Sequence, residues 1–184
     1  MKKDNYIIKS LNGMAYGFFC SLIIGTIFKQ IGNFANISQL VAWGEVATYL
    51  MGPAIGAGIA YAIDAKGLNL IAAVIAGTIG AGTFNGNTAT TGNPIAAFVA
   101  VIIAVEVTTP VDILLVPFTS IIVAGIVTIF IGPYITKLIV WIGDLINQGV
   151  NMQPFFMSIV VAVLMGIALT APISSAAIGV MLGL

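Results

Sequence analysis

The chain has 184 residues, of which 60% are hydrophobic and only 7% charged, with six basic and six acidic side chains and no formal net charge. A soluble domain carries about 25% charged residues, so this chain has too few polar groups to cover a surface facing water. The composition excludes a soluble globular fold, and the absence of any basic patch excludes nucleic acid as a partner.

What remains is an all-α fold, a polytopic integral membrane helical bundle formed as a single transmembrane domain over residues 1–184. A β-barrel would need polar and apolar positions to alternate, whereas runs such as Ile121–Ile131 are apolar on both faces. Cys20 is the lone cysteine and there is no histidine, which excludes an internal disulfide, a multi-cysteine metal site and phosphohistidine chemistry within the chain. No phosphate-cradling loop, metal-ligand cluster or nucleophile–base pair is visible, so neither a cofactor nor a metal is implied and the chain offers no catalytic nucleophile.

In chain order, Met1–Lys9 followed by an apolar run resembles a signal sequence in outline. It lacks a small-residue cleavage site and the run continues to Phe28, which predicts an uncleaved first span over Leu11–Phe28. Within it Cys20 reads as a small apolar packing residue. A second span is expected over Leu40–Ile63, with Glu45 near its start, where an acid suits the positive end of a helix. Asp64 and Lys66 follow as turn residues. The next two apolar segments, 68–84 and 94–109, are short, at about 16 residues or ~24 Å of helix against a hydrocarbon core of ~30 Å. Two arrangements fit them: short tilted spans, or a re-entrant hairpin whose tip is the polar island Asn85–Pro94.

Beyond the island, Asp112 reads as the N-cap of a span over Ile113–Ile131. Residues 134–151 form an amphipathic pattern, with Lys137, Asp144, Gln148 and Asn151 on one face and Ile135, Leu138, Ile139, Ile142, Leu145 and Ile146 on the other. That is a helix lying in the membrane interface, anchored by Tyr134 and Trp141. A last apolar segment starts near Phe155 and is kinked or broken at Pro172. Lys2, Lys3, Lys9 and Lys66 fall on one side and Lys29 and Lys137 on the other, which puts the N-terminus in the cytoplasm.

Small residues recur every fourth position, as in Gly13, Gly17, Ser21 and Gly25, in Gly52, Gly56 and Ala60, in Ala73, Gly77 and Ala81, and in Ala96, Ala100 and Ala104. Such ridges let helix backbones approach closely in lipid. They serve either as tight bundle packing or as sliding surfaces for a moving bundle.

The polar island is the candidate site. Asn85, Asn87, Thr88, Thr91 and Asn93 supply amides and hydroxyls that both donate and accept, which suits sugars and polyols. Gly86 and Gly92 permit sharp turns and Pro94 fits a first helical turn. The same residues would also make an ordinary solvated loop. Glu106 joins the candidates because charge is expensive at depth. It either sits at a wet helix end or faces the island to bond solute hydroxyls or carry a proton.

Val111–Pro117, Gly132-Pro133, Asn151–Met157 and Leu169–Gly179, together with Gly92–Phe98 and Glu106, resemble the phosphotransferase-system (PTS) EIIC-like membrane proteins, in the branch containing the perfringolysin O regulator. The resemblance runs over nearly the whole chain, corresponds to the N-terminal portion of a longer permease, and is most specific in the C-terminal half. It implies a multi-pass protein of the bacterial cytoplasmic (inner) membrane, a sugar permease subunit that presents its solute to separate cytoplasmic PTS phosphoryl-donor proteins. In better-understood sugar permeases a glutamate and a histidine contact the sugar, and this chain has no histidine. Two alternatives therefore stand beside the permease: a non-transporting membrane regulator or sensor acting through a protein partner, and a proton-coupled transporter independent of phosphorylation. Expected partners are a sugar or polyol, membrane lipid and a second copy of the chain, since half a permease would expose unpaired packing faces.

Overall fold

The computed structural model describes residues 3–82, 84–85, 88–89, 92–107, 115–150, 158–159 and 162–163. It divides into two compact units, Met1–Gly132 and Pro133–Leu184.

The first unit opens with a long continuous helix made of α1 (Lys3–Phe18), a π-helical segment (Phe19–Ile23) and α2 (Ile24–Ala35). At 1.5 Å per residue it is about 50 Å long, well beyond the predicted Leu11–Phe28. Its stretch Tyr6–Ala35 is long and apolar enough to cross a membrane. In the π-helical turn the hydrogen-bond ladder slips by one residue. Here the Ser21 hydroxyl donates back to the Gly17 carbonyl at 2.7 Å, satisfying an acceptor beside the irregular turn. α2 ends at Asn36, left-handed at φ 54°, and the Ile37 N–H closes onto the Gly32 carbonyl at 2.9 Å.

The chain then doubles back as α3 (Ser38–Tyr49) against α2 and α4 (Met51–Ala62) against α1. The single span expected over Leu40–Ile63 is thus two helices, broken at Leu50 (φ −79°, ψ 9°). Pro53 is the cause: it has no N–H, and its ring is incompatible with a regular helical carbonyl at Tyr49. In the first turn of α4 that missing donor is harmless. Both α3 and α4 touch the π-helical segment, so the hairpin is irregular in both arms at the same level.

Asp64 and Gly67, both at φ 61°, turn the chain into α5 (Leu68–Ala81), which packs on α4. A two-residue antiparallel ladder follows, β1 (Phe84–Asn85) with β2 (Thr88–Ala89). Then α6 (Pro94–Val107) packs on α5, and α7 (Leu115–Phe130) lies against both. Met51, Ile55, Ile59, Ala76, Ala97, Ala100 and Ala124 are fully buried in the core of this unit.

The small-residue ridges are the contact lines. A β-carbon on Gly13 would strike the Gly58 carbonyl and one on Gly58 the Gly13 carbonyl, while Gly17 meets Ala54 in the same α1–α4 seam. Gly25 and Gly44 oppose each other between α2 and α3, and Gly56 faces Ala73 between α4 and α5. Cys20 is exposed, not packed. It is one residue off the Gly17–Ser21 ridge, about 100° around the helix from buried Ser21. Glu45 also departs from expectation: it sits in the middle of α3, past the first turn where the helix end attracts an acid.

All but the first residue of α8 (Gly132–Val150) belongs to the second unit, and the helix covers the predicted amphipathic element up to Val150. Its Tyr134, Leu138 and Trp141 are exposed. Asp112, Pro172 and most of the apolar run from Phe155 lie outside the described residues.

These contacts make two substitutions informative in thermal unfolding of the detergent-purified protein. Gly17→Ala drives a methyl into the Ala54 backbone and should cost about 1–3 kcal/mol. Gly125→Ala on α7, with nothing within 4 Å among the described residues, should be neutral or stabilise by up to about 1 kcal/mol. Equal effects at the two positions would contradict the packing role of the ridge.

Candidate functional site

The island lies where α5 gives way to α6. α5 stops at Gly82, left-handed at φ 65°, whose N–H bonds the Ile79 carbonyl at 3.0 Å. The ladder pairs Phe84 with Ala89 and Asn85 with Thr88, so two of the candidate positions stand opposite each other in register. Asn87 and Thr91 lie outside the described residues.

Asn93 has a defined structural task. Its side-chain oxygen accepts hydrogen bonds from the Ile95 and Ala96 N–H groups at 3.0 and 3.1 Å, capping the N-terminus of α6. Its own N–H donates to the Ala81 carbonyl at 2.8 Å, tying the start of α6 to the end of α5. Gly92 just before it takes φ 70°, and buried Pro94 opens the helix. The residue thus closes the hairpin neck, and its carbonyl oxygen is committed to the helix.

Glu106 lies near the opposite end of α6, about 20 Å of helix from Asn93. The structure does not bring it to Asn93. Its neighbour is Tyr6 near the start of α1, whose buried hydroxyl is turned toward the Glu106 carboxylate. Ser10, fully buried one turn along α1, donates to the Tyr6 carbonyl at 2.8 Å. Lys9 and Asp64, both substantially exposed, form an ion pair at 3.7 Å. Tyr6 carried no signal in the sequence, because its partner is a hundred positions away and a single tyrosine in an apolar run has no period.

A further polar spot occupies the turn between α2 and α3. Asn33, Asn36, Ser38 and Glu45 help line an open cavity of about 400 Å³.

Asn93→Ala should lower the melting free energy by about 1 kcal/mol, with Asn93→Asp restoring it, because only the capping oxygen is needed. Unchanged stability in Asn93→Ala would remove the capping role. Residues 8–184 match the family model described as Phosphotransferase system, EIIC. No curated protein and no solved structure matches the chain.

Proposed function

The chain belongs to the phosphotransferase-system EIIC family, and from that premise we propose a permease subunit that binds a neutral sugar or polyol at the tip of the α5–α6 hairpin. Membership of that family implies an inner-membrane protein working with other components of the system on a sugar. No histidine within these 184 residues can carry a phosphoryl group, so the donor groups lie outside them, in the other components of the system.

The observation that carries this reading is the level of the tip. Gly77 near the end of α5 packs on Gly52, and Gly17 on Ala54, so α5 ends at about the level of the π-helical segment and the Leu50 break, across α4. That level is roughly halfway along a helix of about 50 Å, which exceeds a ~30 Å hydrocarbon core. With the long helix crossing the bilayer and the N-terminus cytoplasmic, α5 enters from the cytoplasmic side, turns within the membrane, and α6 returns. The Asn85–Thr88 pairing of the backbone ladder then lies at depth, where irregular backbone is tolerated only beside protein or a water-filled cavity. A second copy of the chain would cover outward apolar faces such as Phe118, Ile129 and Phe130 of α7.

The absence of histidine favours one second reading, a regulator of the perfringolysin O regulator branch that transports nothing. It requires that deletion change target transcription and leave sugar uptake intact.

A thermal-shift screen of neutral hexoses and hexitols tests the permease reading. A ligand about 100-fold above its Kd stabilises by about 2.7 kcal/mol, and Asn87→Ala or Thr88→Ala should weaken that ligand about tenfold, the value of one hydrogen bond. A well-folded protein that no sugar stabilises would contradict it.

A further inference from the structure

We propose that the groove along the α2–α3 hairpin holds the headgroup of an amine-bearing phospholipid, with Glu45 taking the ammonium and Lys29 the phosphate. This site needs the long helix to cross the bilayer and does not depend on where a sugar binds.

The groove is an open cavity of about 400 Å³, with Asn33 and Asn36 on its α2 side and Ser38, Ala42 and Glu45 on its α3 side. Ser38, Ala42 and Glu45 follow at helical spacing, so α3 lines it with one stripe about 10 Å long. Glu45 is exposed and makes no ion pair among the described residues, which leaves its carboxylate open to a cation. Side chains on a helix lean toward its N-terminus, and this tilts Glu45 toward the Asn36 and Ser38 end of the groove. Lys29 stands one turn before Asn33 on α2, and its stem lies against Gly44, the residue before Glu45. A carboxylate among neutral oxygen acceptors suits a primary ammonium, which has only donors to offer. A cationic side chain one level deeper suits the phosphate that follows it. Opposite charges that stay unpaired at one end of a polar groove match a zwitterion better than a neutral sugar or a simple anion.

The level of the groove is that of a headgroup. The helix running through α1 and α2 is about 50 Å long against a ~30 Å hydrocarbon core, so about 10 Å stands clear at each face. Lys29 is about 9 Å from the end of α2 at Ala35, which puts the groove within that outer band, at the face opposite the N-terminus. Deeper along the same hairpin, Ile24 and Ile27 on α2 and Val46 and Leu50 on α3 are exposed, an apolar surface for the acyl chains. Polar pockets between helices at a membrane face are where lipid headgroups are recognised.

The test melts the purified, delipidated protein in detergent with dioleoyl phosphatidylethanolamine, phosphatidylcholine or phosphatidylglycerol added. Phosphatidylethanolamine should raise the melting temperature most. The quaternary ammonium of phosphatidylcholine has no N–H to donate, and phosphatidylglycerol carries no cation. Glu45→Gln should bind phosphatidylethanolamine about tenfold more weakly and lose the preference, the effect of one charge-assisted hydrogen bond. Lys29→Gln should weaken all the lipids alike, since each carries the phosphate. Because Glu45 is exposed, Glu45→Gln should melt like the unmodified protein before lipid is added. Equal stabilisation by every lipid, or a preference that survives Glu45→Gln, overturns the proposal. Soluble phosphoethanolamine that stabilises as well as the lipid would make the ligand a free zwitterion and overturn the lipid assignment.

Discussion

Close backbone approach at α4 is the constraint on which this structure depends. In lipid the hydrophobic effect does not drive helices together, so association relies on van der Waals contact between surfaces that can come near. α4 offers such surfaces on two sides. Ala54 and Gly58 meet α1, while Gly52 and Gly56 meet α5, with no room for a β-carbon at the glycine contacts. A helix of only 12 residues can hold two neighbours in this way because glycine or alanine stands at each closest backbone approach, with Met51, Ile55 and Ile59 filling the space between. α5 then carries α6, with Gly80 against Ala100. The position of the polar tip follows from these contacts.

The polar side chains inside the helices support the same division of labour. Ser10, Ser21, Thr26, Thr78 and Thr128 each donate to a carbonyl one turn back on their own helix. Such back-bonding satisfies a hydroxyl locally and removes it from exchange with a solute. Ser120 on α7 is the exception among the described residues, a buried hydroxyl with no such partner. Asn93 is satisfied as locally, since a single amide both caps α6 and lies at the neck of the tip.

Much of the packing was legible because it is periodic. The Gly13–Gly25 ridge and those on α4, α5 and α6 repeat every fourth residue, and each lies on a helix–helix seam. The amphipathic element at 134–151 was readable from its two faces. The breaks were harder. Pro53 was visible, yet an apolar run on both sides of Leu50 looked like one span, since hydropathy does not register a local loss of hydrogen bonding. Cys20 is small enough to pack, yet one residue of offset from the ridge turns it outward. Hydropathy does not mark where α3 begins, so the place of Glu45 past its first turn is not legible from the apolar run alone. Tyr6 could not be found at all from pattern, because its meaning comes from a contact between the first helix and the sixth.

The decisive measurement is thiol labelling at the hairpin tip in native membrane vesicles, using Thr88→Cys in a Cys20→Ser background and a charged, membrane-impermeant reagent. A solute site at the tip requires that Thr88→Cys be labelled through water and that the sugar stabilising the protein slow this labelling. Labelling at the rate of a free surface cysteine, unaffected by any sugar, would make the island an ordinary external loop and contradict the proposed function.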